Sequence, residues 1–240
     1  MNIDRRRNLG PANVKPLVFA ESAPAKQDPD TRVFLETGLI QNCNGSSYLE
    51  NDKTIIITSV YGPRPNFTRS FNDQANLKIN VELSKFLPLD NFKDNQKNIV
   101  PDKDRLVSSL ESFLLSNYQS LILLQNYPKS SIEIFVQVVA LNPTHSLLYT
   151  LKNILNSVSV ALVDSGLNIK AIACSGYSGS DSHETVVNFA AKDEILGIWS
   201  DFQDFDSTFD QSIDACENDS AQLRKEINGY LLKKATKNAS

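Results

Sequence analysis

Apolar residues recur along this chain with two periods, and the switches between them predict the order of its elements. Thr54–Tyr61 (TIIITSVY) is β-branched and almost wholly apolar, the pattern of a central strand covered on both faces or by an interface. It follows Gly45–Glu50 across the turn-forming Asn51-Asp52-Lys53, so the two runs predict a hairpin, and Arg32–Cys43 reads as a strand before them. Asn76–Leu83 (NLKINVEL) alternates strictly and predicts another strand. Pro88–Pro101 is polar and aperiodic, a surface loop. Asp102 then caps a helix expected to run to about Asn126, with Leu106, Leu110, Phe113, Leu114, Tyr118, Leu121 and Ile122 at helical spacing. Ser131–Leu141 is a strand with Ile132, Ile134, Val136 and Val138 on one face. Asn142-Pro143-Thr144 is a stop and a cap, opening a second helix that ends at the C′ glycine Gly166. Ile169–Cys174, Glu184–Phe189 and Ile195–Trp199 read as strands, the last two joined by the turn Lys192-Asp193. A final helix carries Phe209, Ile213, Cys216, Leu223, Ile227, Tyr230 and Leu231, acidic at its start and basic at its end, as the helix dipole favours.

This order predicts one α+β domain over residues 32–240, helices packed on mixed sheets, without a dividing linker or an internal repeat. Residues 1–31 carry Pro11, Pro16, Pro24 and Pro29, a density that prevents helix and predicts an extended arm.

Charge and composition narrow the function. Lys and Arg total 24 against 28 Asp and Glu, a net charge of −4, which argues against tight autonomous nucleic-acid binding. With two histidines, His145 and His183, a His-rich metal centre is excluded and no cofactor is implied. Cys43, Cys174 and Cys216 lie far apart, so they read as thiols of a reducing compartment, with Cys43 and Cys174 in the core. The first twenty residues hold no apolar leader segment, and no apolar run is long enough to span a bilayer; a soluble intracellular chain is expected.

The familiar catalytic signatures are missing. There is no phosphate-cradling G-x-x-x-x-G-K-[ST] or G-x-G-x-x-G. Ser175-Gly176-Tyr177-Ser178-Gly179-Ser180, beside Asp181 and His183, does not have nucleophile-elbow spacing and reads as a flexible turn. The carboxylates Asp201, Asp204, Asp206 and Asp210 lack calcium-loop spacing and read as an acidic helix start.

Three stretches carry a resemblance. Gly45-Ser46-Ser47-Tyr48-Leu49-Glu50 with Thr54–Val60 and Tyr61-Gly62-Pro63-Arg64 is similar to the N-terminal hairpin of the RNase PH family. Tyr127-Pro128-Lys129 followed by Ile132–Val136 resembles the family's next strand, and Ala161-Leu162-Val163-Asp164-Ser165-Gly166 its "AL.DAG" helix end. The resemblance spans roughly Arg32 to Trp199. The opening Asp4–Pro11 and Lys15-Pro16-Leu17, with Glu36-Thr37-Gly38 and Asn42–Ser46, narrow it to the branch that forms the ring of the eukaryotic RNA exosome. The fold this implies is the α+β RNase PH-like (ribosomal protein S5 domain 2-like) fold.

Active members of the family bind inorganic phosphate with a hydroxyl–arginine pair near the start of the helix that ends in "DAG". Counting back from Asp164 places Thr150 on the hydroxyl and Leu151 on the arginine, with Leu148 and Tyr149 on the preceding glycines. A leucine offers a phosphate no charge, and Lys152 is expected on another face of the helix. The family's paired aspartates, six residues apart, fall on His183 and Phe189, although a length change before that strand leaves Asp181 as an alternative for the first. These degenerate positions imply a chain without catalytic residues: a structural ring subunit around an RNA-conducting pore, serving 3′→5′ RNA degradation and processing of rRNA, snRNA and mRNA.

The partners so implied are other RNase PH-like ring subunits, an S1-type cap subunit and, weakly, single-stranded RNA. No membrane and no homo-oligomer are expected. Arg64, Arg69, Lys97, Lys103 and Arg105 are the candidate RNA contacts, and the implied location is nucleus, nucleolus and cytoplasm. Two other readings stay open at this level: an active phosphate-dependent 3′→5′ exoribonuclease, and an unrelated α+β domain whose strands mimic the pattern.

Overall fold

The apolar run of the second hairpin strand sits at the centre of a five-stranded sheet. In a computed structural model that describes residues 33–65, 73–84, 103–142, 144–179, 183–191, 194–201 and 207–239, the elements are β1 (Phe34–Thr37), β2 (Gly45–Asn51), β3 (Thr54–Pro65), β4 (Asn76–Leu83), α1 (Lys103–Leu121), β5 (Ser130–Ala140), α2 (Leu147–Ser165), β6 (Cys174–Gly179), β7 (Glu184–Ala191), β8 (Glu194–Ser200) and α3 (Ser207–Ala239). The first sheet has the order β1-β2-β3-β5-β4, with β4 parallel to β5 and the other pairs antiparallel; the second is the antiparallel β6-β7-β8. Parallel neighbours need a crossover, and α1 supplies it between β4 and β5. Residues 32–240 form one compact unit, the α+β architecture expected. The arm expected over residues 1–31 lies outside the described residues.

The β2–β3 turn is held by Asp52 and Lys53, both at positive φ (46° and 66°), the two-residue geometry whose twist matches a hairpin. α2 is the centre of the molecule. It contacts β2 and β3 of one sheet and β6 and β7 of the other, and every residue from Thr150 to Leu162 is buried. A helix covered on all sides cannot leave its polar side chains to water, so each needs a partner in the fold. The Ser157 hydroxyl meets those of Ser47 (2.9 Å) and Thr58 (2.8 Å), and Ser159 meets the buried Tyr118 hydroxyl (3.0 Å), which donates to the Leu155 carbonyl (2.6 Å). Asn51 donates to Asn153 (3.0 Å), and Asn156 exchanges hydrogen bonds with the backbone of Ser175.

The motifs that carried the family resemblance are packing devices. Gly45 lies so close to α2 that a Cβ there would sit 2.3 Å from the Ser165 nitrogen and 2.5 Å from the Ala161 carbonyl oxygen. Asp164 accepts the Ser46 N–H at 3.1 Å, and Gly166 ends α2 in the left-handed conformation (φ 70°).

Several boundaries differ from the sequence reading. The strand expected to reach Cys43 ends at Thr37, where Gly38 turns the chain at φ 82°. Cys43 is therefore not core: it sits half-buried in a turn, its thiol donating to the Ile40 carbonyl at 3.1 Å. The first long helix stops at Leu121, and Leu124–Asn126 forms a separate 3-10 turn; Asp102, the expected cap, lies outside the described residues. Ser146, not Asn142 or Thr144, caps α2. Ile169–Cys174 is not a strand; Ile169 makes only an isolated bridge to Ile122. The strand instead begins at Cys174 and runs through Ser175–Gly179, the segment read as a flexible turn. Among the described residues no helix is long and apolar enough to cross a membrane.

Candidate functional site

The positions that the resemblance marks for phosphate lie at the amino-terminal end of α2. Asn142 starts the approach, its Oδ1 accepting the Thr144 N–H (3.1 Å) and hydroxyl (2.9 Å). Ser146 is extended (φ −77°, ψ 170°), and its side chain accepts the Tyr149 N–H at 3.3 Å. One exposed amide of the helix end, a group an anion would otherwise use, is thereby occupied.

Thr150 and Leu151 both face inward. Thr150 is 4% exposed and its hydroxyl donates to the Ser146 carbonyl at 3.3 Å, a bond within its own helix. Leu151 is 1% exposed and belongs to the main core with Ile154, Leu155 and Val158. Phe189 is buried with Val187 and Cys216 on the α3 side of the second sheet, where its bulk closes a small apolar cluster. His183 stands just ahead of β7; Asp181 lies outside the described residues. Thr150 and Leu151 adjoin on α2, while Phe189 lies on β7, a strand that packs against α2, within a separate apolar cluster.

What surrounds the end of α2 instead is a cluster of aromatic and charged side chains. The β2–β3 turn delivers Asp52 to His145, and Asn142 Nδ2 also donates to Asp52 at 3.2 Å. The His145 ring stacks on Tyr149, with centroids 4.1 Å apart and planes 22° apart; Tyr149 meets Tyr177 edge-on at 5.4 Å. Lys152, buried, pairs with Asp219 of α3 at 2.7 Å while its ammonium lies 5.4 Å from the Tyr149 ring centre. Asp219 also accepts the Tyr177 N–H at 2.9 Å. Burial, reinforced by the Asp52 and Asp219 carboxylates, pushes the Tyr149 phenol up to about 12, and burial likewise raises Tyr177. Both stay neutral at physiological pH.

This arrangement is poorly suited to a phosphate dianion. Lys152 is on a different face from Leu151, as expected, and its charge is matched by Asp219. Asp52 adds a second carboxylate, and Tyr149 stands where the resemblance implies a glycine. Among the described residues no cluster of His, Cys, Asp or Glu could hold a metal ion. Sequence reasoning missed Asp52 and Asp219; the available signal was a lysine inside an otherwise buried helix, which demands a carboxylate from elsewhere in the chain.

The candidate RNA contacts are dispersed. Arg64 is exposed at the end of β3 with its guanidinium 4.9 Å from the Tyr61 ring centre. Lys103, at the start of α1, donates to the Leu83 carbonyl at 3.0 Å, and Arg105 is exposed one half-turn on. Arg64 is level with Ser131 on β5 and Leu83 with Val138, a separation of seven residues or roughly 23 Å. Arg69 and Lys97 lie outside the described residues.

With this geometry in place, comparison with known proteins is informative. A model of domain 1 of the 3′ exoribonuclease (RNase PH) family matches residues 31–168, more than half of the chain. The chain belongs to the RNase PH family. Relatives of this RNase PH chain include a protein named exosome complex component mtr3 from Schizosaccharomyces pombe, 29% identical over 171 residues (69% of this chain, 63% of that one). The opening residues Asp4–Pro11 and Lys15-Pro16-Leu17 resemble the fungal Mtr type of exosome subunit, in keeping with this relative's name. Also similar are a putative exosome complex component RRP41 from Caenorhabditis briggsae, 28% identical over 158 residues (65% of this chain, 61% of that one), and the Rrp41 component of Pyrococcus abyssi, 23% identical over 167 residues (69% and 62%). The chain thus spans about three-fifths of the length of these relatives. The crystal structure of rice Rrp46 superposes with a TM-score of 0.66, covering 83% of this chain and 94% of that one at 16% identity, which establishes the RNase PH-like fold.

Proposed function

We propose that this chain is a non-catalytic RNase PH-like subunit of an RNA exosome ring, a wall of the conduit through which single-stranded RNA reaches nucleases elsewhere in the assembly. The observation that carries the reading is Leu151, 1% exposed in the main core at the position where active relatives place their phosphate-binding arginine. The Asp52 carboxylate and the pairing of Lys152 with Asp219 at the same helix end support it. So do the relatives named as exosome components. Without a bidentate cation, the charge developing on a transferring phosphoryl group goes unstabilised, and each lost group of this kind costs several kcal/mol of barrier height.

In this reading the partners are other ring subunits of the family and an S1-type cap protein, and the location is nucleus, nucleolus and cytoplasm. RNA contact is weak and salt-sensitive, through Arg64, Arg69, Lys97, Lys103 and Arg105, whose separation suits a backbone tracked along a surface better than a tight pocket. Two measurements test the proposal. Purified chain incubated with labelled oligo-RNA and inorganic phosphate is expected to release no nucleoside diphosphate; release that depends on phosphate overturns the non-catalytic assignment. A tagged copy is expected to co-purify with family relatives, and recovery without any of them overturns the ring assignment.

A further inference from the structure

The two sheets have four outer edges, and on three of them helix side chains meet outward backbone groups. On β1 the outward N–H of Thr37 donates to the Tyr230 hydroxyl at 2.9 Å. On β4 the Val81 N–H donates to the Glu111 carboxylate at 2.9 Å, and the Leu83 carbonyl accepts from Lys103 at 3.0 Å. On β6 the N–H groups of Ser175 and Tyr177 are taken by Asn156 and Asp219, each at 2.9 Å. Unpaired strand edges invite another chain, and on each of these three a packed helix occupies part of the edge.

β8 is the exception. The Asp201 N–H donates to the Glu184 carbonyl at 3.0 Å, which fixes the parity of the β7–β8 ladder. Trp199 and Gly197 therefore turn their backbone groups toward β7, and Ile198 and Ser200 turn theirs outward. Among the described residues no helix side chain meets those outward groups. One face of β8 is anchored: Trp199 packs edge-on against Phe113 of α1 (5.1 Å), and Asn117 lies where a Cβ at Gly197 would fall, 2.6 Å away. On the opposite face, which Ile198 shares with Val187, Ile195 is 43% exposed and Ile198 38%. Among the described residues β8 thus has an uncovered edge beside two partly exposed isoleucines, a combination that soluble chains otherwise suppress.

We propose that β8 takes up an extended strand from a different polypeptide chain as the fourth strand of the β6-β7-β8 sheet, with apolar residues beside Ile195 and Ile198 and Lys or Arg near its ends. Charge selects this occupant. Glu194 and Asp201 bracket the strand, so a strand with basic ends is complementary. A second copy of this chain is disfavoured: antiparallel pairing centred on Ile198 sets Asp201 of one copy opposite Ile195 of the other, one residue from Glu194, at both ends of the ladder. The bracketing carboxylates equally oppose a phosphate backbone. The inference stands apart from the ring reading, since it concerns the mode of contact and not the identity of the partner.

The test is amide hydrogen exchange at residue resolution, on the isolated full chain and on the chain purified in its native assembly. The amides of Ile198 and Ser200 are expected to exchange fast in the isolated chain and at least about 100-fold more slowly in the assembly, while Gly197 and Trp199 are slow in both. Ile198→Pro deletes only an outward donor, so it is expected to keep the cooperative unfolding of the isolated chain and reduce recovery of the assembly about tenfold or more. If that variant fails to fold, Ile198→Lys, which keeps the backbone donor and replaces the apolar contact, is expected to fold and to show the same loss. Fast exchange at Ile198 and Ser200 within the assembly, a chain recovered as a lone monomer, or protection found in a homodimer each overturns the proposal. Protected β8 amides in an assembly without family relatives would leave this proposal standing and remove the ring reading; family relatives with unprotected β8 amides would do the reverse.

Discussion

Lys234 of α3 donates a 2.8 Å hydrogen bond to Asp164 of α2, and the same carboxylate accepts the Ser46 N–H from β2 at 3.1 Å. Lys234 also bonds the Thr37 hydroxyl, so one carboxylate and one ammonium tie α2, α3, β1 and β2 together. The aspartate of the family's "DAG" motif is therefore a structural node, with a side chain 17% exposed. Asp164→Ala leaves the buried Ser46 N–H and the Lys234 ammonium without their shared acceptor. Thermal and urea unfolding are expected to show a loss of about 2–3 kcal/mol, roughly 5–10 °C in Tm. Lys234→Ala, which removes a partly exposed partner, is expected to cost about 1 kcal/mol, and the double variant less than the sum of the two.

Two glycines separate packing from propensity. A Cβ at Gly45 would lie 2.3 Å from the Ser165 backbone nitrogen, so Gly45→Ala must push β2 off α2; a loss of more than about 3 kcal/mol, or failure to accumulate as soluble protein, is expected. Gly229, within α3, meets nothing within 4 Å, so Gly229→Ala is expected to raise stability by about 0.5–1 kcal/mol through helix propensity. Equilibrium unfolding of the two variants side by side reads both signs.

Legibility in the sequence follows the range of the deciding contacts. Asn76–Leu83 is legible residue for residue, because strict alternation is a local signal and the burial of the strand alternates with it. The Asp52-Lys53 turn is legible for the same reason. Ser175–Gly179 is not: its small residues favour turns, and it becomes a strand because Asn156 and Asp219, 19 and 42 residues away, hold its outer edge. Gly176 is required there, since a Cβ would fall 1.9 Å from the Cys216 carbonyl oxygen on α3. The site divides in the same way. Motif spacing alone places Thr150 and Leu151, while the cluster of Asp52, His145, Tyr149, Lys152 and Asp219 draws on a turn and two helices that only the fold brings together.

Alkaline pH probes the buried acids. Burial, then the Asp219 carboxylate, raises the Cys216 thiol from 9.0 to about 12, and Tyr149 is raised from 10.0 to about 12. In both cases the folded chain keeps a proton that the unfolded chain releases first. Their contribution to stability is thus complete below pH 9 and is lost as pH rises through the window from about 9 to 12. Urea midpoints are expected to fall steadily across that window. Cys216→Val is expected to flatten the decline from its lower end and Tyr149→Phe from about pH 10, whatever either variant does to stability at pH 7; unchanged slopes would contradict the assignment.

On the proposed reading, an arginine placed at position 151 tests whether the end of α2 is merely one substitution from activity. Leu151 is 1% exposed among Ile154, Leu155 and Val158, so Leu151→Arg places a guanidinium in an apolar core. Asp219, a nearby carboxylate, is already paired with Lys152 at 2.7 Å. A buried charge without a partner costs about 3–5 kcal/mol or more, a large fraction of the stability of any domain. The variant is expected to lose cooperative unfolding or to aggregate, and to release no nucleoside diphosphate from oligo-RNA in phosphate buffer. Leu151→Met, which conserves volume, is expected to remain within about 1.5 kcal/mol of the parent. A soluble, stably folded Leu151→Arg protein with phosphorolytic turnover would mean that the end of α2 is an accessible anion site, and that the chain is a catalyst lacking a single group.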